Sequence, residues 1–265
     1  MKSIGFIGCG NMATAMIQGI LKRKLAYPDQ IYTSNSKEET AALTAQKLGV
    51  VTSTNNTFVA QAADIIFLSV KPQMYPAVIE EIADSITPDK IVISIAPGKT
   101  LSWLSQAFKK PVKLVRTMPN TPALVGEGLT SYCANSLVTF DELVEVENIL
   151  SSFGEIIKLK EELIDAASAV GGSAPAFVYM FIEALADGGV AEGLTRADAY
   201  KIAAQTVLGS AAMVLETKNH PAKLKDDVCS PGGSTIVGVE ALEKGGFRGT
   251  VIDAVRSTTA KARGL

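Results

Sequence analysis

The sequence contains one histidine, His220, and one tryptophan among 265 residues. A single imidazole excludes metal centres and proton relays that need several. The three cysteines, Cys9, Cys133 and Cys229, are scattered, with neither zinc spacing nor a disulfide framework. An excess of one charge is also missing: 25 basic residues against 27 acidic ones leave a formal net charge of -2 and no basic block. That excludes a partner held by phosphate neutralisation, so no nucleic acid is expected. No unbroken apolar run reaches about eighteen residues, so no membrane span is expected. No charged stretch with a cleavable apolar segment precedes the first strand-like run, and the expected location is the cytoplasm. What the chain does have is a hydrophobic fraction of 47%, enough for one large or two modest cores.

The chain opens with IGFIGCGNMATAMIQGIL from Ile4. Ile4, Phe6 and Ile7 read as a short buried strand. A Gly8-x-Gly10-x-x-Ala13 turn follows, then a helical pattern with Ala13, Ile17, Ile20 and Leu21 on one face. This strand, turn and helix form the dinucleotide-binding arrangement. Gly8 permits the tight turn, Gly10 lets a pyrophosphate approach the backbone, and Ala13 allows close packing. The bare N–H groups and dipole of the helix start favour the anion.

Residues 30–33 read as the second strand. An NAD site usually ends this strand with an acid for the ribose 2′-hydroxyl. Here the chain has Ser34-Asn35-Ser36-Lys37. Hydroxyls, an amide and a lysine suit a 2′-phosphate, so NADPH is favoured, with NADH possible. Ser36 and Glu39 have capping-box spacing for the next helix.

Three short apolar runs, 65–70, 91–95 and 112–115, read as central strands of a parallel sheet. Helical patterns separate them at 76–86 and Leu101–Phe108. The alternation predicts a doubly wound α/β domain, whose ligands sit beyond the carboxyl ends of the strands. Those ends carry Ser69-Val70-Lys71-Pro72, Ile95-Ala96-Pro97 and Arg116-Thr117-Met118-Pro119-Asn120. Another strand is expected at 129–134 and a helix at 140–153, boxed by Thr139 and Glu142 and stopped by Gly154. An edge strand at 155–159 closes the first domain, residues 1–159.

From 160 to 265 the pattern is helical and rich in Ala and Gly. Gly171-Gly172-Ser173-Ala174-Pro175 reads as a helix break and restart. The next helix, 176–192, carries Phe177, Met180, Phe181, Ala184 and Leu185 on one face and stops at Gly193. Thr195 caps another long helix, and His220 before Pro221 reads as a helix start. So few residues of this kind bury themselves poorly alone, so a partner chain is expected over the apolar faces. Ser230-Pro231-Gly232-Gly233-Ser234-Thr235 then leads a helix that stops at Gly245-Gly246. Its start is a second candidate anion site. A final helix runs from about 250 to 263.

IGFIGCGNMA, SVKPQ, RTMPNTPALVGEG, GGSAPAFVYMFIEALADGGV and DDVCSPGGSTIVGVEALEKGGFR occur in this order. Together they resemble the pyrroline-5-carboxylate reductase family over essentially the whole chain. The resemblance implies an N-terminal Rossmann-type doubly wound sheet and a C-terminal all-helical dimerisation domain that interlocks with a second copy. It implies reduction of a cyclic imino acid to L-proline by NAD(P)H. By motif position, Ile7, Gly8, Cys9, Gly10, Asn11 and Met12 would meet the cofactor. So would Ser34 with its neighbour Asn35, then Asn56, Ser69, Val70, Lys71, Pro72, Ile95, Ala96 and Pro97. Gly233, Ser234 and Thr235 would meet the substrate, with Thr235 the catalytic candidate. The family often has Ser-Gly-Ser-Gly-Pro where this chain has Gly171–Pro175, and Gly where it has Cys9.

Two other readings stay open at this point. A hydroxyacid-type reductase on the same scaffold would place a catalytic Lys on the first long helix of the second domain, yet residues 163–200 contain none. A non-catalytic NADP-binding sensor would need the first glycine turn but not the second.

Overall fold

The computed structural model describes residues 2–264. It divides into two compact units, one holding the chain up to Ser173 together with the stretch from Thr258, the other Ala174–Ser257.

In the first unit, strands and helices alternate as β1 (Ile4–Ile7), α1 (Asn11–Lys22), β2 (Ile31–Ser34), α2 (Glu38–Leu48), β3 (Val51–Ser53), α3 (Asn56–Ala62) and β4 (Ile65–Leu68). They continue as α4 (Tyr75–Ile82), β5 (Ile91–Ser94), α5 (Leu101–Phe108), β6 (Lys113–Met118), β7 (Gly128–Ala134), α6 (Phe140–Leu150), β8 (Gly154–Lys158) and α7 (Ile164–Ala167). The sheet order is β3-β2-β1-β4-β5-β6-β7-β8. Neighbours from β3 to β6 run parallel, while β7 is antiparallel to β6 and parallel to β8.

Side-chain alternation explains why helices cover both faces. Along β4, Ile65 and Phe67 point to one core and Ile66 and Leu68 to the other. The first core takes the apolar stripe of α1, Ala13, Met16, Ile17 and Ile20, with Val146 and Ile149 of α6. Phe6 stacks on Phe67 there at 4.7 Å between ring centroids. The second core takes Val59 of α3, Tyr75, Val78, Ile79 and Ile82 of α4, and Leu104 of α5. Strands apolar on both faces are the mark of a sheet buried on both sides.

The second unit contains α8 (Ala174–Ala191), α9 (Arg196–Thr217), α10 (Pro221–Asp227), α11 (Ser234–Lys244) and much of α12 (Phe247–Ala262). Helices α8 and α9 form a hairpin closed by Ala186, Ala199 and Ala203, with Ile182 and Val190 beside them. Small residues let these two helices approach closely but bury little area. Phe177, Met180, Phe181 and Leu185 line an open apolar groove with Leu242, Phe247 and Val251, of about 640 Å³.

Four local readings change. Gly171 and Gly172 do not break the helix: Ser168–Ser173 is a π-helical segment between α7 and α8. Helix α2 starts at Glu38 with Lys37 as N-cap and no side-chain cap, so Ser36 and Glu39 make no capping box there. β3 and α3 complete the unit between β2 and β4. The final helix starts at Phe247, three residues earlier than expected. The box at Thr139 and Glu142 does form.

Candidate active site

The strand order reverses at β1, which lies between β2 and β4. At such a switch point a crevice opens outside the carboxyl ends of the strands. Gly8 leaves β1 with φ of 89°. A Cβ on it would stand 2.6 Å from Val70 Cγ1 and 3.2 Å from the Ser69 carbonyl carbon. Only glycine therefore lets the turn after β1 lie against the turn after β4. Ser69 fastens them: its N–H donates to the Ile7 carbonyl at 2.9 Å and its hydroxyl to the Gly8 carbonyl at 2.6 Å. Val70, exposed Lys71 and Pro72 continue that turn. Residues 95–97, with Ala96 buried and Pro97 exposed, form the matching turn after β5.

Gly10 is the N-cap of α1, and a Cβ on it meets no heavy atom within 4 Å among the described residues. The first turn, with Asn11 and Met12, has no side-chain cap and no acidic residue. Its N–H groups and the positive end of the helix dipole are left for an anion. Cys9 sits in the same turn. Burial pushes its thiol above the usual range, against hydrogen bonds to Thr14 and Thr44, so it stays a neutral thiol.

Ser34, at the end of β2, is only 1% exposed. Its hydroxyl donates to Asn56 Oδ1 at 2.7 Å and accepts the Gly8 N–H at 3.2 Å. Asn56 Nδ2 in turn donates to Glu81 at 2.7 Å. The Ser34 hydroxyl is thus spent on holding the glycine turn. Asn35 is also buried: Nδ2 reaches the Cys9 carbonyl at 3.4 Å, and Oδ1 has no partner among the described residues. Ser36 and Lys37 are exposed. An open space over Gly10, uncapped N–H groups and an orphaned buried amide oxygen together fit a dinucleotide. Every candidate cofactor residue lies at this one edge of the first unit.

Tyr75, Ser94 and Glu81, which back this edge, are not singled out from the sequence, whereas Arg116 and Asn120 lie in a strand end that is. Tyr75 and Ser94 join the ends of β4 and β5, and Glu81 orients Asn56. Arg116, 2% exposed, pairs with Asp165 at 2.5 Å and with Glu161 at 3.4 Å. Glu161 also accepts the Leu101 N–H at 2.6 Å, which ties the α5 start to the end of β6. Asn120 donates to the Gly171 carbonyl at 2.9 Å and accepts the Leu129 N–H at 2.8 Å.

The other candidate residues lie in the second unit. Gly233 is the N-cap of α11, with no side-chain cap. Gly232 before it has φ of 69°. The Gly233 N–H donates to the Ser230 carbonyl at 3.0 Å, so it closes the loop and is not free for a ligand. A Cβ on Gly233 would stand 2.4 Å from Ser230 Oγ. Ser234 and Thr235 open the helix as exposed residues. Their N–H groups belong to the uncapped first turn, as at α1. His220 accepts the Ala222 N–H through its ring nitrogen at 3.2 Å and caps α10.

Comparison with known proteins is decisive at the family level. The chain is 47% identical to pyrroline-5-carboxylate reductase of Escherichia coli (strain K12), over 100% of this chain and 98% of that protein. It is 40% identical to the enzyme of that name from Methanosarcina acetivorans, with the same coverage. The chain belongs to the pyrroline-5-carboxylate reductase family. The family model for pyrroline-5-carboxylate reductase dimerisation matches residues 161–265, and a model described as NADP oxidoreductase, coenzyme F420-dependent, matches 3–98. The crystal structure of Plasmodium falciparum pyrroline carboxylate reductase with NADP bound superposes with a TM-score of 0.91 at 34% identity, covering 99% of this chain and 97% of that one. The protein is an NAD(P)H-dependent oxidoreductase of this family, and its helical region is a self-association domain. The stretch Glu161–Ala191, long and apolar enough by length and composition to cross a membrane, falls inside the region matched by the dimerisation model.

Proposed function

We propose that the chain reduces L-1-pyrroline-5-carboxylate to L-proline with NADPH, the last step of proline biosynthesis, and does so in the cytoplasm. Full-length membership of the reductase family, spanning both units, carries this reading. We retain residues 1–159 as the cofactor domain and 160–265 as the substrate and dimerisation domain, in step with the family model that starts at 161.

The residues suit the chemistry. Bound NADPH supplies the hydride. The chain's part is to hold two anions and to exclude misalignment, which is catalysis by proximity. The first turn of α1 would take the pyrophosphate over Gly10. Exposed Ser36 and Lys37, beside the orphaned Asn35 Oδ1, would take the adenosine side with its 2′-phosphate. The Ser234 and Thr235 N–H groups would hold the substrate carboxylate, and the Thr235 hydroxyl would hydrogen-bond the imine nitrogen. A five-membered imine is basic enough to be partly protonated from water near neutral pH. The site therefore needs no histidine or lysine acid.

The region matched by the dimerisation model has exposed Val178, Tyr179 and Met180 on α8. We propose a homodimer or larger homo-oligomer built through this domain. The test of function is loss of the NADPH absorbance band with pyrroline-5-carboxylate, set against hydroxyacid substrates. Turnover confined to hydroxyacids would sink the reading. NADPH binding without turnover of either class would leave the sensor in its place.

A further inference from the structure

The Ser69 and Ile95 turns lie at the ends of two different strands, β4 and β5. A single buried oxygen links their bases. The Tyr75 hydroxyl donates to the Leu68 carbonyl at 2.6 Å, and this closes the loop that contains Ser69, Val70, Lys71 and Pro72. The same oxygen accepts the Ser94 hydroxyl at 3.2 Å, at the root of the next turn. Ser94 Oγ accepts the Ala96 N–H at 3.4 Å, and the Ser94 carbonyl accepts the Thr117 hydroxyl at 3.0 Å from β6. Tyr75, Leu68 and Ser94 are all 0% exposed. Water therefore cannot stand in for a lost hydroxyl at this spot. Burial pushes the phenol up to about 12, so it remains a protonated donor across the working pH range.

On the reading that these turns receive NADPH, we propose that Tyr75 is a positioning residue for the cofactor. Its hydroxyl, through Ser94, sets the spacing of the two turns after β4 and β5. The ring alone fills the core, as Val78, Ile79 and Ile82 do on the same helix face. The hydroxyl is the part that packing does not require. It fixes Leu68, one residue before Ser69, and Ser69 in turn holds the Gly8 carbonyl. A loosened Tyr75 therefore reaches all three turns.

The test uses the full-length protein with NADPH as titrant in calorimetry, alongside steady-state kinetics and thermal melting. Tyr75→Phe keeps the ring and removes the oxygen. It should raise the NADPH Kd and KM about five- to tenfold, the worth of roughly one buried hydrogen bond, and leave the imine KM at saturating NADPH unchanged. Ser94→Ala should act in the same direction. The double variant should be no weaker than the worse single one, because both break one chain. Ser94→Thr, which keeps a hydroxyl, should restore most of the affinity. A purely structural role would lower the melting temperature and leave NADPH affinity within twofold of wild type, and that result overturns the proposal. Multiplying single effects in the double variant would overturn it too. If Tyr75→Phe does not fold, the Ser94 pair decides by the same criteria. Wild-type protein that fails to bind NADPH would overturn the functional reading and this proposal with it. Normal wild-type binding that survives both changes overturns this proposal alone.

Discussion

The Ser34 hydroxyl donates to Asn56 Oδ1 across 2.7 Å while accepting the Gly8 N–H, so the residue where many NAD sites carry an acid is here a clasp inside the protein. On the proposed reading, recognition of a 2′-phosphate would fall to Ser36 and Lys37, both exposed. Wild-type enzyme is expected to have a lower KM for NADPH than for NADH. Lys37→Glu should raise the NADPH KM at least tenfold and the NADH KM little, since a hydrogen bond to a charged group is worth about 1.5–3 kcal/mol. Ser34→Ala should instead cost about 1 kcal/mol of stability and weaken both cofactors alike. Kinetics with the two cofactors, plus thermal melting, separate these effects. An unchanged ratio in Lys37→Glu would remove Lys37 from the site.

The two glycines of the first turn should fail differently. Gly8→Ala puts a methyl 2.6 Å from Val70 Cγ1 at a φ of 89°, a strain of about 1–3 kcal/mol on top of the clash. It should lower the melting temperature and abolish NADPH binding together. Gly10→Ala places its methyl in open space at a φ of -93°. It should melt like wild type and still bind NADPH about tenfold or more weakly, because the methyl occupies the pyrophosphate's approach. A Gly10→Ala protein with wild-type affinity would show that the pyrophosphate lies elsewhere.

Much of this was legible because the periods are clear. The two-faced β4, the stripe on α1 and the Thr139 box are local signals, and the fold keeps them. The parts that were not legible depend on distant partners. β3 is three half-buried residues, Val51–Ser53, too short and polar to show a period. Gly171-Gly172 reads as a breaker, yet Asn120, far away in the chain, takes the Gly171 carbonyl and the helix continues as a π turn. Tyr75 falls just before the helical pattern read at 76–86, and nothing local announces the buried serine opposite its hydroxyl. The Gly233 N–H reads as a ligand donor until the Ser230 carbonyl is found beside it.

The assembly prediction follows from the second unit. Ala186, Ala199 and Ala203 are its fully buried apolar residues among those described, while Tyr179 and Met180 are 57% and 67% exposed. Light scattering should give at least twice the 27.8 kDa chain mass. Met180→Glu should shift the protein toward smaller species and lower its melting temperature, because a charge inside a covered apolar face is costly. An active monomer at assay concentration would rule the proposal out.

The final prediction concerns Thr235 and Gly233, which are neighbours on α11 but should behave as different kinds of site residue. Thr235 is exposed at the first turn, where the proposed role would have its hydroxyl hydrogen-bond the imine nitrogen. Thr235→Ala should lower kcat about tenfold with little change in KM, since one neutral hydrogen bond near the reacting atoms is worth roughly 1–1.5 kcal/mol. Thr235→Ser, which keeps the hydroxyl, should recover most of the rate. Gly233→Val acts on the loop: its Cβ would meet Ser230 Oγ at 2.4 Å, and its N–H already holds the Ser230 carbonyl. The loop must open, the uncapped N–H groups of Ser234 and Thr235 move with it, and the KM for the imine should rise more than kcat falls. NADPH affinity should survive both changes, because the candidate cofactor residues belong to the other unit. Thr235→Ala turning over at the wild-type rate across pH would reduce Thr235 to a helix-start residue.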